Sequence, residues 1–227
     1  MHFSLIIRGL IGWCICFQLQ SQNDSLNQEN SASKFKFLHD ESRQYLGSVS
    51  FVYQIPSTYG NNFMGGGLDG KDGFGFDVNF FLFKNFYFGL NCGIKNFNVI
   101  DVQSVGNYKS TQIEERYITV GYELLPISKI RMGIYSSIYG EATLSNKIEG
   151  GQSNRDSGKF WNYGLRLEYE FTENLNFAIC YDWRHINSNI RVPSELETYF
   201  EKGTYNVLSL GLKFNFGRYD AYDHIYL

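Results

Sequence analysis

The stretch YDWRHINSNI, residues 181–190, contains the side chains best suited to covalent chemistry in this sequence. A histidine that takes the proton of a serine hydroxyl turns that serine into a nucleophile for ester hydrolysis, and a carboxylate orients the histidine. The candidates for these three roles are His185, Ser188 and Glu201. The chemistry they would support is acyl hydrolysis.

The spacing of these residues argues against that chemistry. In an extended strand a histidine and a serine share a face only when they are two residues apart. Ser188 follows His185 by three positions, which places it on the other face unless a bulge intervenes. Glu195 and Glu197 are alternative carboxylates, and none of the glutamates is clearly placed for the third role. We therefore favour an interfacial histidine followed by an Asn/Ser loop over a catalytic site.

No other motif predicts a metal or a cofactor. The glycine-rich run GGGLDGKDG, residues 65–73, has the composition of a phosphate loop or a calcium turn. However, no helix is predicted after it, and Asp69 and Asp72 lack the remaining calcium ligands. His39 and His224 have no second histidine at ligand spacing. We expect an outer loop at 65–73, no metal site and no cofactor.

Composition excludes some classes of function. The chain has 227 residues and a net charge of −3, with a pI of about 5.8, so no basic footprint for nucleic acid is present. Mean hydropathy is −0.28, which argues against a helical membrane protein. Aromatic residues make up 18% of the chain, and so many rings must be buried, stacked or in contact with lipid.

The first 22 residues are typical of a secretory signal peptide. Arg8 precedes an apolar core at 9–17 that is too short to cross a bilayer as a helix. Cys14 and Cys16 follow Trp13 and Ile15, where a lipoprotein signal requires small residues, so lipidation is not expected. The sequence therefore predicts an exported protein, with a polar periplasmic segment at 23–45 after the leader.

From residue 46 onward the chain alternates between apolar and polar residues, as β-strands do. The segments with this pattern are 46–55, 73–83, 86–97, 113–124, 130–140, 159–171, 175–186 and 205–216. Tight connections alternate strictly with long ones that are rich in Gly, Asn, Ser and Asp. This order predicts an antiparallel up-and-down sheet of eight strands, followed by a short tail at 217–227.

The two faces of these strands differ in size and charge. In YNVLSLGLKFNF, residues 205–216, one face carries three leucines and two phenylalanines, whereas the other carries Val207, small residues and Lys213. Across all eight strands the second face holds glycines and a nearly balanced set of charges. Its charged residues are Asp77, Lys95, Glu115, Glu123, Arg131, Arg166, Glu168, Glu170, Asp182, Arg184 and Lys213.

Two closed barrels fit this pattern, and they differ in which face meets the solvent. A soluble, lipocalin-like carrier would point the bulky apolar face inward, whereas a membrane barrel would point it toward lipid. The interior of an eight-stranded barrel is too narrow for so many large side chains, but it suits glycines and paired charges. We therefore predict an all-β, closed antiparallel eight-stranded transmembrane β-barrel with a plugged, salt-bridged lumen.

Aromatic residues at both ends of the apolar face support the membrane interpretation. They are expected to form two interfacial girdles, as in transmembrane barrels. The predicted members are Trp161, Tyr181 and Trp183 near the long loops and Phe86, Phe171, Phe214 and Phe216 near the tight turns. Cys92 is expected on the outer face and Cys180 on the inner one, so no disulfide is predicted between them.

From Leu46 to Phe216 the chain resembles the small OmpA/OmpX-type outer-membrane barrels of Gram-negative bacteria. The resemblance implies an outer-membrane location, and a final strand ending in Phe216 is similar to the signal read by barrel-assembly machinery. Residues 217–227 depart from that pattern, and they are too few for a peptidoglycan-binding domain. The run YDWRHINSNI also resembles strand seven of PagL-type lipid A deacylases, which implies a Ser-His-Glu set.

The leading hypothesis is a monomeric, non-enzymatic barrel with a structural or surface-binding role, alone or within a larger envelope assembly. Its expected partner is outer-membrane lipid and not nucleic acid. The enzyme alternative is a lipid A acyl hydrolase that uses His185 and Ser188. The third hypothesis is the soluble lipocalin-like carrier.

Overall fold

The computed structural model describes residues 41–148 and 153–218, all within one compact unit that spans residues 36–227. These residues form one closed antiparallel barrel in which each strand pairs with its neighbours in chain order and the last pairs with the first. The strands are β1 Gly47–Thr58, β2 Leu68–Phe83, β3 Phe86–Val99, β4 Ser110–Ile127, β5 Ile130–Lys147, β6 Ser153–Glu170, β7 Leu175–Ser188 and β8 Lys202–Phe216. The predicted fold class is confirmed.

The barrel has a short-turn end and a loop end. The short-turn end carries the connections β2–β3, β4–β5 and β6–β7, together with the start of β1 and the end of β8. Three short helices of the described residues lie at the loop end: α1 Phe63–Gly67, α2 Val102–Val105 and α3 Ser194–Glu201. None of the helices in the described ranges is long and apolar enough to cross a membrane.

The strands continue further at the loop end than the sequence pattern predicted. The segments 98–112 and 141–158 were expected to be loops, but β4 begins at Ser110 and β5 continues to Lys147. The ladder joins Ser110 to Lys147 and Lys147 to Ser153, so backbone hydrogen bonds form even though these residues are polar. The expected loop at 65–73 is likewise replaced by the end of α1 and the start of β2.

The apolar face of the sheet lies outside. Phe74 and Leu165 are 65% and 50% exposed, whereas Asp77 and Arg166, on the other face of the same two strands, are buried in the lumen. Burying charges inside while leaving large apolar side chains outside costs free energy in water, but it is the favourable arrangement in lipid. Cys92 is exposed and Cys180 is buried, and both are free thiols, as the strand pattern predicted.

One bulge in β5 changes which residues face the lumen. Ile118 pairs with Tyr139, but its neighbour Thr119 pairs with Ser137, so Ile138 is left without a partner in this ladder. Ile138 and Tyr139 are consecutive, yet both are exposed on the outer face. Beyond the bulge the inward positions are even-numbered, beginning with Gly140, whereas before it they are odd-numbered. The extra residue therefore shifts the inward and outward alternation by one position in the part of β5 toward the loop end.

Two inward-facing tyrosines lie over glycines of the neighbouring strand. Tyr87 pairs with Gly121, and a Cβ atom at Gly121 would come within 2.3 Å of the Tyr87 ring. Tyr135 pairs with Gly164 in the same way, and a Cβ there would lie 2.6 Å from the Tyr135 ring. The lumen of a barrel this narrow holds such rings only where the opposite position has no side chain.

Some predicted segments lie outside the described residues. These are the signal peptide at 1–22, residues 23–40 of the polar segment and residues 219–227 of the tail. The remaining part of the polar segment is described below because it contacts the barrel.

Candidate functional site

The lumen near the short-turn end contains a buried ionic cluster centred on Lys213. Its ammonium group lies 2.6 Å from Glu123 and 2.8 Å from Glu168. The guanidinium of Arg131 donates to the second oxygen of Glu123 at 3.1 Å and to Glu170 at 2.5 Å. Four strands supply these side chains, so the cluster ties opposite walls of the barrel together.

A second ionic cluster lies higher in the lumen, around Glu115. Lys95 donates to this carboxylate at 2.6 Å, and Arg184 and the Tyr205 hydroxyl also donate to it. Arg184 also donates to Asp182 at 2.9 Å. A buried carboxylate that accepts several hydrogen bonds from cations is well compensated for its loss of water.

Arg166 lies between the two clusters. Its guanidinium is 3.5 Å from Asp77 and 3.9 Å from Glu168, so it contacts an acid on either side. All eleven charges predicted for the lumen therefore take part in ion pairs. Together with Arg43, the lumenal cations are Lys95, Arg131, Arg166, Arg184 and Lys213, against the anions Asp77, Glu115, Glu123, Glu168, Glu170 and Asp182. Six positive and six negative charges make this described set neutral.

The sixth cation comes from outside the strands. Arg43 precedes β1, in the segment expected to be a polar periplasmic tail, yet its guanidinium lies 3.0 Å from Glu170. It also donates to the carbonyl oxygens of Ile127 and Ile130, at 3.2 Å each. The carbonyl of Arg43 accepts a hydrogen bond from Arg131 at 2.5 Å. No spacing or motif in the sequence indicated this role.

We call residues 41–46 the strap, because they cross the short-turn end and contact all three turns there. Arg43 binds the turn between β4 and β5, as described above. The Gln44 side chain donates to the carbonyl of Lys84 in the β2–β3 turn, and the Tyr45 hydroxyl donates to the carbonyl of Glu173 in the β6–β7 turn. Burial at this position raises the pKa of the Tyr45 phenol. The strap thus covers the opening at this end.

The loop end of the lumen is filled by an apolar cluster instead of charges. Phe97 and Tyr205 meet edge to face at 5.7 Å inside the barrel, and Phe63 of α1 stacks on Phe200 of α3 at 5.9 Å. The buried members are Phe63, Met64, Leu68, Phe97, Ile113, Tyr117, Ala142, Leu144, Phe160, Ile186, Tyr205 and Val207. Beside this cluster, a cavity of about 180 Å³ is lined in part by Leu144, Asn146 and Asp156.

The predicted salt-bridged lumen did not include this apolar cluster, although the sequence carries a signal for it. Four apolar residues lie an even number of positions from the lumenal charges of their own strands and therefore share the lumenal face: Phe97, Ile113, Phe160 and Ile186. Apolar residues at lumenal positions toward the loop end indicate a change in what fills the barrel.

The three candidates for acyl hydrolysis are not assembled into a site. His185 is on the outer face, where its ring stacks on Tyr163 at 5.9 Å. Ser188 lies on the other face of β7, and its hydroxyl donates to the carbonyl of Phe200 at 2.5 Å. Glu201 is exposed at the end of α3. No bulge in the β6–β7 ladder brings the histidine and the serine to one face.

The predicted girdle residues lie on the outer face at two heights. Phe86, Phe171, Phe214 and Phe216 are exposed near the short-turn end. Trp161 and Trp183 lie in the middle of β6 and β7, because both strands extend beyond the predicted boundaries. The apolar band of transmembrane barrels is about 25 Å tall, and β6 continues above Trp161 to Ser153.

Within the described ranges, no three His, Cys, Asp or Glu side chains are grouped as metal ligands. A closed eight-stranded barrel that is apolar outside and charged inside has the architecture of the small outer-membrane β-barrels, and this chain has that fold.

Several solved outer-membrane barrels superpose on this chain. Neisserial surface protein A superposes with a TM-score of 0.54 at 12% identity, over 75% of this chain and 96% of that one. OprG from Pseudomonas aeruginosa gives a TM-score of 0.48 at 13% identity, over 78% and 99%. The N-terminal barrel of OprF from the same organism gives 0.47 at 18% identity, over 76% and 100%. No protein-family model and no curated protein sequence matches the chain.

Proposed function

We propose that this protein is a closed, non-conducting and non-enzymatic outer-membrane barrel whose loop end forms a structured surface for binding at the cell exterior. The observation that carries the proposal is the filling of the lumen at three levels. The strap lies at the short-turn end, the neutral ionic clusters follow, and the apolar cluster lies at the loop end.

The ionic clusters support a plug and not an ion path. Lys213 and Arg184 are almost completely buried, and each is held by carboxylates within hydrogen-bond distance. Moving one of these cations would leave an uncompensated charge in a medium of low dielectric constant, which costs several kcal/mol. An ion that crosses the lumen would have to displace them. The apolar cluster adds a second barrier that is unfavourable for any hydrated ion.

The orientation follows from the two ends. In outer-membrane barrels the short turns face the periplasm and the longer connections face outside. The helices α1 to α3 and the cavity beside Leu144 would then lie at the cell surface, on strands that rise above the apolar band. Binding specificity is commonly carried by such connections on a rigid scaffold.

The two alternative functions have less support. An acyl hydrolase requires His185 and Ser188 within hydrogen-bond reach, but they occupy opposite faces of β7 and the serine hydroxyl is bound to Phe200. A soluble carrier requires the bulky apolar face around a central ligand, but that face lies outside.

Conductance measurements in planar bilayers test the proposal. The purified protein should give no steady channel current. A stable conductance of the unmodified protein would contradict the plug. Independently, spin labels at Leu165 and Leu210 in cell envelopes should report acyl chains. A water-like signal at both positions would contradict the membrane placement.

A further inference from the structure

The outer face of β6, β7 and β8 carries a row of polar residues just above the apolar band. Lys159 of β6 pairs with Asn187 of β7, which pairs with Lys202 of β8, and all three side chains are exposed on the outside. The two lysine Cα atoms are therefore separated by two strand spacings, or about 10 Å. Neither ammonium group forms an ion pair with a described residue, in contrast to Arg116 of β4, which pairs with Glu114 at 3.9 Å.

Directly below this row lies a set of stacked rings. Tyr163 is nearly parallel to Trp183, with ring centres 5.3 Å apart and 11° between the planes, and it also stacks on His185 at 5.9 Å. Tyr181 contacts Trp183 edge to face at 4.8 Å. Trp161 pairs with His185 in the strand register and is half exposed. The rings form a continuous aromatic surface on two strands.

Below the stacked rings the outer face becomes aliphatic over two rows, with Tyr181 as the one aromatic residue among them. Leu165 and Leu208 flank Tyr181 in one row, and Leu167 and Leu210 flank Ile179 in the next. From top to bottom the face is therefore cationic, then aromatic, then aliphatic.

We infer that this face binds a phosphorylated glycolipid of the outer leaflet. We call it the platform, and its principal residues are Lys159, Trp161, Tyr163, Trp183, His185 and Lys202. The order of its rows matches the order of groups in such a lipid, which are phosphate, sugar ring and acyl chain. Lysine is a point-charge ligand for phosphate, and flat rings bind the apolar faces of sugars through dispersion.

Nearby acids limit the cationic area without neutralising it. Glu141 of β5 faces Lys159 in the strand register, but it accepts a hydrogen bond from the Tyr139 hydroxyl and lies beyond ion-pair distance of the lysine. Glu201 directly precedes Lys202 in the chain and is exposed. In the strand register Asn187 pairs with the two lysines and with no acidic residue. A phosphate between them is therefore the complementary group.

This inference rests on the proposed outer-membrane placement, but it can fail separately from it. Native mass spectrometry of the refolded protein in detergent measures lipid binding wherever the protein resides in cells. The titrants are bis-phosphorylated lipid A, its dephosphorylated form and phosphatidylglycerol. Lipid A should bind about tenfold more tightly than either of the other two. Equal affinity for lipid A and phosphatidylglycerol would indicate attraction to any anionic lipid and would overturn the inference.

Two variants assign the binding to the platform. Lys159→Gln with Lys202→Gln should weaken lipid A binding about tenfold, whereas the matched double variant Lys71→Gln with Lys109→Gln, also of exposed lysines, should change it by less than about twofold. The double variant Tyr163→Leu with Trp183→Leu keeps the face apolar but removes the stacked rings. It should weaken the binding of dephosphorylated lipid A as well as that of lipid A. Heat-modifiable gel mobility verifies that each variant is folded. If the two lysine pairs have equal effects, overall charge explains the binding and the platform is rejected.

Discussion

The guanidinium of Arg43 lies 3.0 Å from the carboxylate of Glu170, although Arg43 precedes the first strand and Glu170 ends the sixth. This pair completes the charge balance of the lumen and fixes the strap across the short-turn end. Because Glu170 also binds Arg131 at 2.5 Å, the pair joins the strap to the buried clusters.

Substituting Arg43→Gln should destabilise the folded barrel. The change removes one of the two charge partners of Glu170 and the hydrogen bonds to the carbonyls of Ile127 and Ile130, with an expected cost of about 1–3 kcal/mol. Urea unfolding in detergent measures this loss in the free energy of unfolding. Arg218→Gln, an exposed arginine at the same end, is the control and should be neutral. If both variants unfold at the same urea concentration as the unmodified protein, the strap does not stabilise the barrel.

Substituting Lys213→Met should be more severe. It leaves Glu123 and Glu168 close together without the ammonium that separates them, and the expected cost is about 3–5 kcal/mol. The temperature at which the folded band is lost on a gel should fall strongly. Adding Glu168→Gln should recover part of the loss, because Arg131 still neutralises Glu123. No recovery would show that the lysine acts by packing alone.

Gly121→Ala tests the approach of the Tyr87 ring to its neighbour strand. The added methyl group would lie 2.3 Å from the ring, so an overpacking cost of about 1–3 kcal/mol is expected. Gly133→Ala is a matched control on the same lumenal face, because its nearest contact would be 3.5 Å. The double variant Tyr87→Leu with Gly121→Ala should have a larger free energy of unfolding than the Gly121→Ala variant, because it lacks the ring that the new methyl group contacts. Equal effects of the two glycine substitutions would contradict the steric argument.

Leu165→Arg tests which face meets lipid. Leu165 lies midway between the two girdles, where an arginine on the lipid face costs about 2–4 kcal/mol. Ser157→Arg places the same charge on the same face of β6 but above the apolar band, and it should cost little. Folding into liposomes, followed by urea unfolding, compares the two. Tolerance of Leu165→Arg equal to that of Ser157→Arg would mean that this face is not in lipid.

The period-two alternation was sufficient to predict the closed barrel and the direction of its faces. It placed Phe74 outside and Asp77 inside because a transmembrane strand that has lipid on one side and a narrow lumen on the other tolerates no other order. The lumenal position of charges such as Lys95 followed from the same parity.

Features that depend on three-dimensional closure were not predicted. The sequence does not reveal the bulge at Ile138. Ile138 and Tyr139 are both apolar, so an apolar residue faces outward whether or not the alternation shifts by one residue. Arg43 precedes the alternating region, and its partners become neighbours only after the barrel closes. The strand ends at Lys147 and Ser153 were missed because the composition of polar hairpins resembles that of loops. His185 and Ser188 show that the alternation can also argue against a site. Their residue types suit catalysis, but their spacing places them on opposite faces of the strand.

The seam of the barrel pairs Gly47 with Phe216, the first residue of the first strand with the last residue of the last. Any nascent chain that stops before β8 therefore retains two unpaired strand edges, and unpaired edges invite aggregation. Closure of the barrel therefore requires β8, the last strand in chain order. A chain truncated before β8 is thus expected to remain an open sheet with exposed edges and not to form a shortened barrel.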